Sequence, residues 1–312
     1  MVCVAAKNEA ATIRACVSSL LIAAENKADI VIVEDGSTDE TPAILKSFGN
    51  QIRVVQGKGK GPGAARNLVL FETQKHWIAF TDADTVVSPS WLRDLVQTFE
   101  RNPIAVGVGG PQCVRREAGT FEKQVGKYFE LIGFVSNYIQ KGEEREVKHN
   151  PTCNVMYQVS GLKNIGGFNE SLWPCEDLEL DLNLKSRGMR LMFQPKAWVE
   201  HERPQDERGL MRMAQRYGYG HARLVQLRGV CAPIQVIPFL TLMLILGWAL
   251  GSDGVQYASL WGALGLWVYF CLKTKQIREA SRFWMWTVKI LAFWNWGFLK
   301  GLVEGSPLAN HD

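Results

Sequence analysis

The 312-residue sequence is poor in features that would settle its class at once. Its seven cysteines are odd in number and scattered, with no C-x-x-C pair, so a disulfide framework or a structural zinc site is not expected. They read as reduced thiols packed as small apolar side chains. Lys and Arg together number 35 against 31 Asp and Glu, a net charge of +4. That balance gives no reason to expect a nucleic-acid partner. The opening apolar run, Met1 to Ala6, is short and ends in Lys7-Asn8-Glu9, so it is not expected to be a secretory signal. No internal repeat or low-complexity tract is present. The glycine-rich stretch Gly57-Lys-Gly-Lys-Gly-Pro-Gly63 lacks the G-K-[ST] ending of a P-loop.

Charge is missing altogether from two stretches, 229–252 and 254–272. Each has the length of a bilayer-crossing helix, about 20 apolar residues. The expected organisation is therefore a catalytic domain over 1–210, a basic amphipathic interface segment over 211–232, a transmembrane helical hairpin over 233–272, and an interfacial or third membrane helix with a tail over 273–312. Within the hairpin the spans are expected at 234–251 and 255–272. Arg223 and Arg228 precede the pair, and Lys273, Lys275, Arg278 and Arg282 follow it. By the positive-inside rule both outer ends are cytosolic. The expected location is the cell membrane, multi-pass, with a cytosolic catalytic domain. Lys289 and Lys300 favour an interfacial course for 283–303, because a charged side chain at mid-span is costly.

What is present earlier is a regular alternation. Val2–Ala6, Ile30–Val33, Ile52–Val55 and Trp77–Asp82 read as buried strands, and helical periodicity fills the gaps between them. Alternation of that kind means βαβ units and an α/β fold with a mostly parallel sheet. Ligands of such sheets bind at the carboxyl ends of the strands, and those ends carry acids: Glu9, Asp35, and the pair Asp82 and Asp84. Two carboxylates one residue apart repel unless a proton or cation lies between them. Oxygen ligands of this sort suit Mg2+ or Mn2+. Taken alone, an Asp-x-Asp pair is equally a turn cap beside a solvated acid. Lys58 and Lys60 read as a basic surface loop, whereas Arg66, which enters a helix with Asn67, is better placed to face the strand ends and is the donor-binding candidate that adds positive charge near a diphosphate.

Asp35-Gly-Ser-Thr-Asp39, the glycine loop running into Ala65-Arg66-Asn67, and Asp82-Ala-Asp84 together resemble the family-2 glycosyltransferases, inverting enzymes of the GT-A fold (Rossmann-like). The resemblance runs from Val2 to Leu224. It implies that Asp35 contacts the nucleotide base, with uracil compatible and guanine or thymine left open, that Glu9 faces the nucleoside, that Asp82 lies near ribose and diphosphate, and that Asp84 holds the metal. Asp177, after Gly166-Gly-Phe-Asn-Glu170, matches the family's base for the acceptor hydroxyl, and Glu176 beside it is the second candidate. Acids at a helix start also serve its dipole. His201 is a candidate metal ligand by the same likeness. Ala6 stands where the family usually has Pro. Met213-Ala-Gln-Arg-Tyr217 departs from the Gln-x-x-Arg-Trp of processive polysaccharide synthases, so synthesis of a long polymer is not expected. The Gly-Gly-Pro, Glu-Asp-Leu-Glu-Leu and basic-aromatic 212–224 blocks look most like membrane-bound enzymes of exopolysaccharide synthesis, the succinoglycan type. The resemblance implies a nucleotide-sugar donor (a UDP-sugar favoured) and a lipid-linked or membrane-held acceptor.

Two other readings use the same residues. Phe80-Thr-Asp82-Ala-Asp84-Thr-Val86 fits the D-x-D-x-[TV] of aspartyl-nucleophile phosphohydrolases, with Asp82 as nucleophile. That class starts its domain with this strand, whereas three strands precede it here. A non-catalytic, membrane-anchored nucleotide-sugar-binding protein is the third reading.

Overall fold

The computed structural model describes residues 1–133 and 142–304. The chain forms two compact units, Met1–Arg203 and Pro204 onward.

The first unit begins with β1 (Val2–Ala6), α1 (Ile13–Ala24), β2 (Ile30–Glu34), α2 (Thr41–Lys46), β3 (Arg53–Gln56), α3 (Pro62–Glu72) and β4 (Trp77–Asp82). It continues through β5 (Thr85–Val87), α4 (Trp91–Arg101), β6 (Ala105–Gly109), β7 (Gln112–Val114) and α5 (Thr120–Leu131). After the undescribed segment come β8 (Arg145–Val147), β9 (Asn154–Gln158), α6 (Val159–Asn164), α7 (Glu176–Ser186), β10 (Arg190–Phe193) and β11 (Val199–His201). The main sheet has eight strands in the order β3-β2-β1-β4-β9-β6-β10-β8. Strands β3, β2, β1 and β4 run parallel, as the βαβ alternation requires, and β9 lies antiparallel to both its neighbours. The sheet is mixed rather than mostly parallel.

The sheet separates two apolar cores. On one face Ile13, Val17 and Leu20 of α1 and Trp91 and Leu95 of α4 cover Val2, Val4 and Ile32. On the other, Val69 and Leu70 of α3 and Leu180 and Leu184 of α7 cover Val31, Val33, Ile78 and Phe80. The central strands present apolar side chains to both faces, which is why they read as continuous runs rather than alternating ones. A second sheet, β5-β11-β7, sits beyond the Asp82–Asp84 turn.

The charge of residues 140–150 suggests a mobile loop over the site; the described part, 142–150, includes an ordered edge, and 140–141 lie outside the described residues. β8 pairs antiparallel with β10, and Glu144 accepts from Arg101, Asn102 and Gln194. Charge there marks an edge strand, which stays polar because one side meets solvent. The helix expected over 121–139 is described to Leu131; the expectation for 134–139 lies outside the described residues.

The second unit holds α8 (Glu207–Arg228), α9 (Ile237–Ala249), α10 (Asp253–Thr274) and α11 (Ile277–Val303). The domain boundary expected after residue 210 falls inside α8. Ala214, Gly218 and Ala222 form a small-residue stripe on α8, matched by Gly297 and Gly301 on α11. A Cβ on Gly297 would lie 1.9 Å from the Gln215 carbonyl oxygen, and one on Gly218 would lie 2.1 Å from that of Trp294. Only glycine permits this backbone approach. α10, with 22 residues, is long and apolar enough to cross a bilayer. The span expected over 234–251 is not one helix. It is broken into a 3₁₀ turn, Pro233–Val236, and the 13-residue α9, with Pro233 and Pro238 at their starts. Thirteen residues rise about 20 Å, short of the roughly 30 Å hydrocarbon thickness. Among the described residues the expected two-span hairpin is thus reduced to one candidate span, or two if α8 and the 3₁₀–α9 segment, bent by 97°, count as one.

Candidate active site

The site is built where β4 stops. The Thr81 and Thr85 hydroxyls lie 2.6 Å apart, with the Cys153 carbonyl 2.7 Å from Thr81 Oγ1 and the Asp82 carbonyl 2.8 Å from Thr85 Oγ1, so the two hydroxyl protons are divided among three hydrogen-bonding contacts. These bonds pin the Asp82–Asp84 turn. β11 pairs with β5 so that His201 stands opposite Thr85. His201 Nε2 then lies 3.3 Å from Asp84 Oδ2, while its Nδ1 faces Gln112 Oε1 at 3.0 Å. One ligand atom each from Asp82, Asp84 and His201 fall within 4.8 Å of one another.

Burial works against the Asp84 carboxylate, but the His201 ring outweighs it and holds Asp84 below its ordinary range. Burial would likewise depress His201, yet Asp84 raises it well above the usual imidazole value. Asp82 is pushed up by burial, with Asp84 adding to the effect and Arg66 opposing it. Asp84 Oδ1 is buried with no hydrogen-bond partner among the described residues. That leftover acceptor, beside a second carboxylate and an imidazole, fits a hard divalent cation of the Mg2+ or Mn2+ type.

Arg66 is buried one turn into α3. Its Nη2 donates to Asp82 Oδ1 at 2.9 Å and its Nη1 to Glu176 Oε1 at 2.8 Å, and its guanidinium sits over the Phe168 ring. One side chain therefore ties the Asp-x-Asp turn to the start of α7. Burial, and next the neighbouring Asp177 carboxylate, push Glu176 up to about 7, with Arg66 acting in the opposite sense. Asp177 is half-buried, and its Oδ1 accepts from the Leu178 N–H at 2.7 Å. Cys175, just before Glu176, is held at φ 86°, and Asn8, just before Glu9, at φ 59°. Left-handed backbone at non-glycine residues costs energy and tends to gather at functional sites.

Glu9 accepts from the Thr12 hydroxyl at 3.0 Å. Burial, then repulsion from Asp84, push it up to about 7, so it belongs to the same acidic cluster. Asp35 lies deeper. Its two oxygens accept from the N–H groups of Gly59 at 2.7 Å and Gly61 at 3.0 Å, fastening the glycine loop over the end of β2. A Cβ on Gly57 would lie 2.3 Å from Asp35 Oδ1, which explains a glycine there. The structure thus gathers Asp82, Asp84, His201, Arg66, Glu176 and Glu9 into one cluster, with Asp177 beside Glu176. Sequence reasoning missed Gln112 behind His201, and it missed His149 and Tyr157. Gln112 and His149 carry no local pattern that would have revealed them.

The glycosyl transferase family 2 model matches residues 1–166. A pre-mycofactocin glycosyltransferase of Mycobacterium tuberculosis is 28% identical over 205 residues, covering 63% of this chain and 41% of the relative. A poly-beta-1,6-N-acetyl-D-glucosamine synthase of Staphylococcus aureus is 25% identical over 219 residues, covering 68% of this chain and 52% of the relative. The chain thus spans about half the length of the curated relatives it matches. Among solved structures, a Pyrobaculum calidifontis mannosyltransferase in complex with GDP-Man and Mn2+ aligns with a TM-score of 0.65 at 18% identity, over 98% of this chain and 87% of its own. Residues 1–349 of S. aureus TarS, in complex with UDP-GlcNAc, align with a TM-score of 0.54 at 17% identity, over 96% and 90%. At such identities the two structures establish likeness of fold. The family match covers more than half of the sequence, and the chain belongs to glycosyl transferase family 2.

Proposed function

We propose that the chain is a metal-dependent inverting glycosyltransferase that moves a sugar from a nucleotide-sugar donor to a lipid-linked or membrane-held acceptor. The observation that carries this reading is Arg66. By bonding Asp82 and Glu176 at once, it puts the Asp-x-Asp turn and the start of α7 in one site. An inverting transfer needs those two sides: charge neutralisation at the leaving diphosphate and a base at the acceptor.

Asp82, Asp84 and His201 would hold the cation, which when bound offsets charge on the departing diphosphate. Asp177 is the base. It takes the proton from the acceptor hydroxyl as that oxygen bonds to the anomeric carbon, and the carbon–oxygen bond to the diphosphate breaks with its electron pair leaving on the nucleotide. Glu176 is less suited, because its carboxylate is buried against Arg66. Glu9 and Asp35 line the nucleoside side, where Asp35 would act on the base once the glycine loop yields. A UDP-sugar is the favoured donor; the fold neighbours include one bound to UDP-GlcNAc and one bound to GDP-Man.

The second unit supports a membrane setting. Leu250, Leu272 and Met243 are 84%, 73% and 66% exposed, and the basic residues Lys273, Lys275 and Arg278 gather at the carboxyl end of α10. We place that end among cytosolic headgroups, with the catalytic unit on the same side.

The test is release of nucleoside diphosphate by the membrane-reconstituted protein from a panel of UDP-, GDP- and dTDP-sugars with Mg2+ or Mn2+, repeated with EDTA. Release from one donor, abolished by EDTA, is expected. Failure to bind any donor would overturn the reading.

A further inference from the structure

Behind Asp177 lies a polar cluster that none of the roles above uses. Asp181, one turn further along α7, is completely buried. Its carboxylate accepts from the Tyr157 hydroxyl of β9 at 2.6 Å, from the Asn150 backbone N–H at 2.7 Å, and faces His149 Nδ1 at 2.7 Å. Burying an acid, an imidazole and a phenol together is expensive unless every group is paired, and an apolar packing of the same volume would avoid the cost. The cluster therefore needs a reason. With an ionised Asp181 as acceptor, Nδ1 of His149 must carry its proton, and the ring orientation is fixed. That orientation aims Nε2 at Asp177 Oδ2, 3.9 Å away. The separation exceeds a hydrogen bond and falls within the range of a strong charge interaction.

We propose that His149, oriented by Asp181 and Tyr157, is a positioning residue that holds the Asp177 carboxylate turned toward the acceptor. The inference rests on the reading of Asp177 as the base. A cationic His149 attracts the Asp177 carboxylate; a neutral one, protonated on Nδ1, turns a lone pair toward it. Among the described residues, Asp177, Asp181 and Glu176 of α7 are charged groups that face His149, with the Tyr157 hydroxyl of β9 sharing Asp181. Burial depresses the imidazole, but Asp181, Asp177 and Glu176 together raise it above its ordinary value. Turnover should therefore fall on the alkaline side as His149 loses its proton.

The experiment uses the full chain in lipid and the donor identified by the panel. The kcat and KM for transfer are followed across pH for the wild type, His149→Gln, Asp181→Asn and Asp177→Asn. His149→Gln is expected to lower kcat roughly 10- to 100-fold, at the lower edge of what a base supplies, to leave the donor KM unchanged, and to remove the alkaline limb. Asp181→Asn should reproduce the loss. A wild-type kcat and pH profile in His149→Gln would overturn the inference. Wild-type turnover in Asp177→Asn would instead overturn the base assignment itself, so the two failures are distinguishable. Should His149→Gln fail to fold, 15N shifts of the histidine rings decide. Asp177→Asn must move the titration of His149 to lower pH, and an unmoved titration would overturn the coupling.

Discussion

The two units invert each other's relation between polarity and exposure. Met1–Arg203 buries charge: Asp35, Arg66, Glu176 and Asp181 are all under one tenth exposed, and each has a partner. Beyond Pro204 the buried polar side chains among the described residues are Gln235 and Thr274, while large apolar residues from Val230 to Val303 stand in the open. Water explains the first arrangement, because desolvated charges persist only when paired. It does not explain the second, since contiguous apolar surface on that scale marks contact with lipid or another protein. The first unit's side chains therefore matter through electrostatics, and the second unit's through packing and partition. Substitutions can break that contrast on either side.

The largest effect is expected at the metal position. Asp84→Ala removes a proposed ligand from the Asp82–Asp84–His201 set, and transfer should drop at least about 100-fold, since a bound cation contributes several kcal/mol of charge stabilisation. EDTA should produce the same loss in the wild type, and circular dichroism should remain native. Near-wild-type turnover in the variant would remove Asp84 from its assigned role. Arg66→Leu comes next. It leaves Glu176 buried and Asp82 partly buried without their common partner, which should cost about 3–5 kcal/mol. Denaturant unfolding of the purified chain measures it; a loss under about 1 kcal/mol would mean that the bridge is loose in solution.

These residues also show how far the sequence could be read. The strands were legible because a run such as Ile30-Val-Ile-Val33 has apolar side chains for both faces of a sheet, and Asp82 and Asp84 because they end such a run. The double bond of Arg66 was not legible. Its partners lie 16 and 110 residues away, and nothing local couples them. Asp181 was within reach, four residues after Asp177 on one helix face, but its partner His149 sits in a charged segment that reads as loop. The break at Pro233 and Pro238 was missed for a different reason. Absence of charge measures composition, while a helical span also needs enough continuous rise to cross the hydrocarbon.

In the second unit the effects shrink, because packing spreads its energy over many contacts. Gly297→Val is expected to cost about 1–3 kcal/mol, as the new side chain would meet the Gln215 backbone and force α8 and α11 apart. Gly262→Val on α10, where a Cβ meets nothing within 4 Å, is the control and should be close to neutral. Thermal unfolding in detergent compares them. Equal shifts would mean that the close approach of α8 and α11 does not hold this unit together.

The smallest change tests where α11 runs. Lys289 pairs with Glu207 of α8, and both side chains are a little over two fifths exposed. In water or among headgroups such a pair contributes about 0–1 kcal/mol, so Glu207→Gln should barely move the unfolding midpoint and the shift should fade with added salt. In hydrocarbon the same substitution would strand the Lys289 ammonium without its counter-charge, at a cost of about 3–5 kcal/mol and with little salt dependence. A small, salt-sensitive shift therefore assigns the middle of α11 to the interface, on the polar side of the contrast between the units. A large, salt-insensitive one would move α11 into the bilayer and make the Lys289–Glu207 pair a buried charge pair like those of the first unit.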